Sequence, residues 1–295
     1  MIDQYWIDKA RVRASFDRAA SSYDAAAILQ AEVRQRMLDR LEIVKLNPTA
    51  ILDAGCGTGH ASHALLKKYN HSQVISLDLA QGMLQQTKTT ASFSQKLLGM
   101  VGHARHHLTA GDIERLPIAS ASVELIWSNL AVQWCNDLDA AFGEAHRVLK
   151  AGGLYSFSTF GPDTLKELRA ATSVDPNHIH VSRFIDMHDI GDALVRAGFS
   201  APVLDVERFT LTYDDVKSVM RDLKAIGAHN AAAGRSRGLA AKGFLTKLIE
   251  QYERFRTDGK LPATYEVVYA HAWKPEPKVQ LVDGAVPVTF RPRPK

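Results

Sequence analysis

The chain has 295 residues, 46% of them apolar and 23% charged, with a formal net charge of +4. These are ordinary globular proportions. No apolar run approaches the roughly 20 residues that span a bilayer, and two cysteines, Cys56 and Cys135, exclude a disulfide framework or a four-cysteine zinc site. The N-terminus is charged within its first residues and lacks an apolar h-region, so no secretory signal is expected, and a reducing cytoplasm fits. The positive balance permits an acidic partner without choosing among nucleic acid, protein and anionic small molecule.

Residues 7–41 read as two helices. Val12, Phe16, Ala19 or Ala20, and Tyr23 share one face of the first, and Ile28, Leu29, Val33, Met37 and Leu41 continue the second. Asn47-Pro48 punctuates the chain, and residues 50–54 then form a short apolar run ending in glycines, as a buried parallel strand does. A helix over 60–69 leads to a second strand, 74–78, and Met83-Leu84 open the next helix. Residues 105–112 and 122–128 read as strands three and four. A helix from about Leu138 to Leu149 stops at Lys150-Ala151-Gly152-Gly153, read as a C-cap, and 154–160 is a fifth strand. Residues 161–185 read as a polar insertion, 187–197 as a helix with a Gly198 cap, and 202–211 as a strand. Residues 214–258 read as helical with breaks near Gly227 and 234–238. Residues 264–273 read as a late strand, followed by a basic, Pro-rich tail.

Strand and helix thus alternate from 50 to 160, the pattern of right-handed βαβ units and a parallel, doubly wound sheet. Ligands of such sheets bind beyond the carboxyl ends of the strands, where Asp53, Asp78, Asp112 and Asn129 stand. Glycines at 55, 57 and 59 let the backbone turn sharply and approach a ligand. A dinucleotide fingerprint needs its third glycine one position later, where this chain has His60. Asp78, 25 residues after Asp53, is placed to accept both hydroxyls of a ribose. Asp112 is placed to accept from an exocyclic adenine amine, and Ile113 and Met83 to pack on the ring. As structural alternatives, Asp78 would cap the following helix and Asp112 would be a solvated loop acid.

Taken together, Ile51-x-Asp53-x-Gly55-x-Gly57-Thr58-Gly59, the acid at 78, Gly111-Asp112 with Leu116-Pro117, and Arg147-Val148-Leu149-Lys150-x-Gly152-Gly153 resemble class I S-adenosylmethionine-dependent methyltransferases over roughly residues 47–160. The family often has proline where this chain has Ala151, a difference confined to a turn. The resemblance implies a Rossmann-like α/β fold with a seven-stranded, mostly parallel doubly wound sheet, carrying helical insertions at the N-terminus and in the C-terminal half. The implied divisions are a helical lid (1–46), the cofactor-binding core (47–210), a helical insertion (211–260), and final strands and tail (261–295). It implies S-adenosylmethionine as cofactor, S-adenosylhomocysteine as product, no metal, and cofactor contacts from Asp53, Gly55, Cys56, Gly57, Asp78, Leu79, Met83, Asp112, Ile113 and Asn129.

A narrower resemblance extends over nearly the whole chain. Val12-x3-Phe16-x2-Ala19-Ala20-x2-Tyr23, Phe160-Gly161-Pro162-Asp163-Thr164-Leu165-x-Glu167-Leu168-Arg169, Asp186-Met187-His188-Asp189, Ile226-Gly227-Ala228-His229-Asn230 and Tyr265-Glu266-Val267 with Ala270-His271-Ala272-Trp273 are similar to the malonyl-carrier-protein O-methyltransferases of biotin synthesis. That family implies methylation of the free carboxylate of a malonyl thioester on acyl carrier protein, a cytoplasmic setting, and neither nucleic acid nor membrane as partner. An ionised carboxylate needs no general base, because its reference pKa is about 4. What it needs is in-line positioning and a cation or hydroxyl to hold it in an apolar site. Tyr23, Arg169 and Arg183 are the candidates, with Trp134 as a wall. A basic face over 214–258 (Lys217, Arg221, Lys224, Arg235, Arg237, Lys242, Lys247) is a candidate docking surface for an acidic carrier. The alternatives are a methyltransferase for another small acid or a quinone precursor, or a non-catalytic assembly factor that keeps the fold. Loss of Asp78 or of the glycines would favour the last, and all are present. His103-x2-His106-His107 and His178-x-His180 have liganding residue types without a clear partner set and read as structural.

Overall fold

A computed structural model describes residues 3–90, 104–173, 179–228, 231–234 and 243–277. Seven strands form one sheet: β1 (Ala50–Ala54), β2 (Gln73–Asp78), β3 (His106–Ala110), β4 (Val123–Asn129), β5 (Leu149–Phe160), β6 (Ser200–Tyr213) and β7 (Leu261–Trp273). Their order is β3-β2-β1-β4-β5-β7-β6. Neighbours from β3 to β5 pair in parallel, and β7 runs antiparallel to both β5 and β6. The expected mostly parallel, doubly wound sheet is therefore present. Its strand order reverses between β1 and β4, which opens a crevice at their carboxyl ends.

Alternation along the strands sends side chains to two opposite cores. Ile51, Leu125, Trp127 and Leu154 face one side. There they meet Leu29, Val33, Met37 and Leu41 of α3 (Ile28–Glu42), and Leu65 and Leu66 of α4 (His60–Lys68). Leu52, Leu77, Ile126, Tyr155 and Phe157 face the other, against Phe142, Ala145 and Val148 of helix Leu138–Val148 and Ile190 and Leu194 of helix Met187–Arg196. Each such buried aliphatic or aromatic side chain contributes roughly 1.5–3 kcal/mol. Asp137 and Asp186 cap these two helices, accepting from Ala140 N (3.0 Å) and His188 N (2.8 Å).

Several local expectations are corrected. The N-terminal region is broken into α1 (Lys9–Ala19), α2 (Tyr23–Ala26) and α3, so Tyr23 opens its own turn instead of ending α1. Lys150–Gly153 is not a helix C-cap. The preceding helix ends at Val148 and β5 has already begun at Leu149. Gly152, at φ +71°, marks an irregularity where its N–H donates to Lys274 O (2.9 Å) and Gly153 O accepts from Lys274 N (2.9 Å). The insertion after β5 holds a helix, Lys166–Thr172, that the polar composition conceals. Residues 214–258 contain helices Val216–Ala225 and Phe244–Glu253. His103, His178, His229, Asn230, Arg235, Arg237, Lys242 and the tail beyond residue 277 lie outside the described residues. Among the described residues, no helix is long and apolar enough to cross a membrane.

Candidate active site

The β1–α4 loop sets the site. Gly55, Gly57 and Gly59 adopt φ of +81°, +54° and +86°. At Gly55 no side chain fits, because an added Cβ would lie 2.3 Å from Ala131 Cβ. The loop is tied to β2: Gly55 N and Cys56 N both donate to Leu77 O (2.7 and 2.9 Å), and Gly57 N donates to Asp78 Oδ2 (2.9 Å). Ala80 N holds the other Asp78 oxygen at 2.8 Å. Burial pushes the Asp78 carboxyl up to about 6, and those amides only partly offset it. Asp53, 1% exposed, is pushed up to about 7 by burial, and its carboxylate accepts from Ser62 Oγ. From there a chain of hydrogen bonds runs through Ser76 to His106.

Two adjoining cavities open over this loop. The first is lined by Lys9, Phe16, Tyr23, Gly55, Gly57, Asp78, Leu79, Met83, Asp112, Ile113, Asn129, Trp134 and Cys135. The second shares Tyr23, Gly55, Gly57 and Asn129 and adds Asp24, Gln30, Arg34, Asp53 and Cys56. The sequence-derived cofactor residues thus converge on one cleft, and Tyr23 and Asn129 stand where its two lobes meet. A third space, a groove of about 1060 Å³, meets the first at Cys135 and holds Arg169 and Arg183. These two arginines therefore lie outside both lobes, in the groove that leads to them.

Some of these groups are already engaged. Asp112 Oδ1 accepts from Lys9 Nζ (2.9 Å) and Glu114 N (3.1 Å), and Lys9 also pairs with Glu114. Asn129 donates to Gln30 O (3.1 Å) and accepts from Ser158 Oγ (3.0 Å), so it ties α3 to the sheet. Tyr23, Phe16 and Trp134 form an aromatic roof, with Phe16 edge-on to Trp134 at 5.4 Å and 6.4 Å from Tyr23. Burial raises the Tyr23 hydroxyl far above the usual tyrosine range. Among the described residues, the Arg169 guanidinium donates only to backbone carbonyls, Pro162 O (2.8 Å) and Thr164 O (3.0 Å), and burial lowers its pKa. Burial also pushes the Cys135 thiol up to about 12 and the Cys56 thiol well above its ordinary value, so neither serves as a thiolate nucleophile near neutrality. Lys9, Gln30 and Arg34 are site residues that sequence reasoning missed. A basic residue on an amphipathic helix looks solvated until the fold shows what it faces.

A Cβ on Gly57 would meet nothing within 4 Å, so the loop backbone lies open to the cleft. With a half-buried carboxylate at the end of β2, it fits a ligand that lays a ribose on Asp78 and packs against the glycine backbone. No group of three or more His, Cys, Asp or Glu able to hold a metal occurs among the described residues.

Residues 52–157 match the family model described as a methyltransferase domain. The chain is 69% identical over 291 residues to a malonyl-[acyl-carrier protein] O-methyltransferase of Methylovorus sp., covering 99% of this chain and 97% of that protein. It is 57% identical to the protein of that name from Gallionella capsiferriformans, covering 96% and 97%. The chain belongs to the malonyl-[acyl-carrier protein] O-methyltransferases. Among solved structures, the YcgJ protein of Bacillus subtilis shares the fold, with a TM-score of 0.57 at 15% identity over 82% of this chain and 99% of that one. The enzyme is an S-adenosylmethionine-dependent O-methyltransferase.

Proposed function

We propose that the enzyme esterifies the free carboxylate of a malonyl group carried as a thioester on acyl carrier protein. The observation that carries this reading, alongside the family, is the junction at Cys135 between the cofactor cleft and a groove holding Arg169. Among the described residues, that half-buried cation has no carboxylate within ion-pair distance. A guanidinium in this position stabilises an incoming carboxylate through charge-assisted hydrogen bonds.

When bound, S-adenosylmethionine supplies an electrophilic methyl group. Asp78 would accept from its ribose hydroxyls, and Asp112 would take the adenine amine. Ile113, Leu79 and Met83 would cover the ring, while Gly55, Cys56, Gly57 and Asp53 would surround the methionine portion. Asn129 holds the two lobes in register through Gln30 and Ser158. The roof of Phe16, Trp134 and Tyr23 excludes water from the approaching carboxylate, and the Tyr23 hydroxyl, with no hydrogen-bond partner among the described residues, donates to it. Arg169 fixes the far oxygen, and Arg183, exposed in the same groove, draws anionic substrate inward. No residue has to remove a proton, because a carboxylate with a reference pKa of about 4 is already ionised. Positioning carries the rate.

Helix Val216–Ala225 lies beside α2 and exposes Lys217, Met220, Arg221 and Lys224 on one stripe. We assign this stripe to the acidic carrier. The buried, free Cys56 thiol supports a reducing, cytoplasmic setting. The test is methyl transfer to malonyl-, acetyl- and malonamoyl-carrier protein and to free malonate in parallel, in low and high salt. Transfer to the malonyl carrier alone, weakened by salt, is expected. Equal transfer to free small acids would remove the carrier from the reading and leave the methyltransferase assignment intact.

A further inference from the structure

Among the described residues, Arg34 is a cation without a partner. It lies on α3 and lines the cofactor lobe that also holds Asp24, Asp53, Gln30 and the glycine loop. Its side chain is half-buried, and among the described residues it makes no hydrogen bond or ion pair. Asp24, Tyr23 and Asp53 lie within electrostatic reach but not in contact. The two carboxylates are themselves engaged elsewhere. Asp24 accepts from Thr58 Oγ1 (2.6 Å) and faces His60 Nε2 (3.0 Å), and Asp53 accepts from Ser62. Arginines on neighbouring turns of the same helix behave differently: Arg36 pairs with Glu32 and Glu207, and Arg40 with Asp205. A guanidinium taken partly out of water without an anion is costly, so this arrangement is complete only when an anion enters the lobe.

A lobe with one unpaired cation opposite two carboxylates matches an amino-acid zwitterion, whose carboxylate and ammonium are separated by one carbon. We propose that Arg34 holds the α-carboxylate of the cofactor's methionine portion while Asp53 and Asp24 face its α-ammonium. This rests on the reading that the methionine portion occupies this lobe. It adds a binding residue from the N-terminal helices to a site otherwise built from strand ends, and so makes closure of α1–α3 part of cofactor recognition.

The test is calorimetric and independent of methyl transfer. The full chain and its Arg34→Gln and Arg34→Lys variants are titrated with S-adenosylhomocysteine and with its decarboxylated analogue, which keeps the amine and lacks the carboxylate. The unmodified enzyme is expected to prefer S-adenosylhomocysteine by about ten- to hundredfold, the range of a hydrogen-bonded charge pair. In Arg34→Gln the preference collapses to within about threefold, and binding of the decarboxylated analogue holds. Arg34→Lys keeps part of the preference, because charge survives and the planar fork does not. Full preference retained in Arg34→Gln, or equal loss of both ligands, overturns the proposal. Equal binding of both ligands by the unmodified enzyme also overturns it and leaves the cofactor assignment standing, whereas no binding of either ligand brings down the cofactor-site reading as well.

Discussion

Asp78→Asn should remove the loss of stability that the carboxyl imposes as pH rises, while weakening the enzyme's hold on the cofactor. The carboxyl is half-buried at the end of β2, where partial removal from water raises its pKa from near 3.8 to about 6 even with Gly57 N and Ala80 N donating to it. At about 1.36 kcal/mol per pH unit, the ionised form costs the folded state about 3 kcal/mol at pH 8. Asparagine carries no charge and avoids that cost. Its amide NH2, however, must face either Gly57 N or Ala80 N, each of which donates to a separate Asp78 oxygen. One backbone hydrogen bond is therefore lost at every pH, about 1–3 kcal/mol. The sign follows from linkage. A carboxyl with a raised folded pKa is fully compatible with folding below about pH 4 and loses stability as pH rises through about 6. The variant should therefore be the less stable at pH 4, by about 1–3 kcal/mol, and should gain on the parent by up to about 3 kcal/mol between pH 4 and pH 8. Calorimetry with S-adenosylhomocysteine at pH 8 should show about ten- to hundredfold weaker binding, the loss of one charge-assisted hydrogen bond to ribose. Unchanged affinity, or a stability difference that does not move between pH 4 and pH 8, would refute this account of Asp78.

Other outcomes follow from the same geometry. Cofactor affinity should rise between pH 5.5 and 7.5 and binding near pH 6 should release protons, because Asp53 and Asp78 are pushed up to about 7 and about 6 and must ionise to face an ammonium and a ribose; binding in buffers of different ionisation enthalpy measures this, and a flat profile counts against it. Gly55→Ala should lower stability by about 1–3 kcal/mol, as an overpacked left-handed site does, since its Cβ would sit 2.3 Å from that of Ala131; an unchanged melting temperature contradicts that packing. Arg169→Ala should raise the KM for malonyl-carrier protein at least tenfold while cofactor affinity stays constant; unchanged turnover removes Arg169 from substrate recognition.

Much of this architecture was legible because each early strand is a short apolar run ending in a carboxylate or glycine. Period and punctuation together placed Asp53, Asp78, Asp112 and Asn129 on one rim. Errors came where two physical readings of the same residues compete. Gly152-Gly153 after a helical pattern suggests a C-cap, but pairing with Lys274, just past the end of β7, claims those residues for the sheet. Helix Lys166–Thr172 is too short for periodicity to reveal. It starts after Leu165, a residue held at φ +55° and anchored by its N–H to Thr264 O (2.6 Å), a contact about a hundred residues away. Arg34 and Lys9 escaped for the same reason. Only the return of the N-terminal helices over the strand ends brings Lys9 to Asp112 and Arg34 to the lobe beside Asp53.

The most direct test of the central claim is transfer of labelled methyl from S-adenosylmethionine to malonyl-acyl carrier protein, followed by mild base. Label on the malonyl carrier, released as methanol, is the predicted result and identifies a carboxyl ester. Label that survives base, or none on the carrier despite measurable cofactor binding, would contradict carboxylate methylation and direct the substrate search to another acceptor.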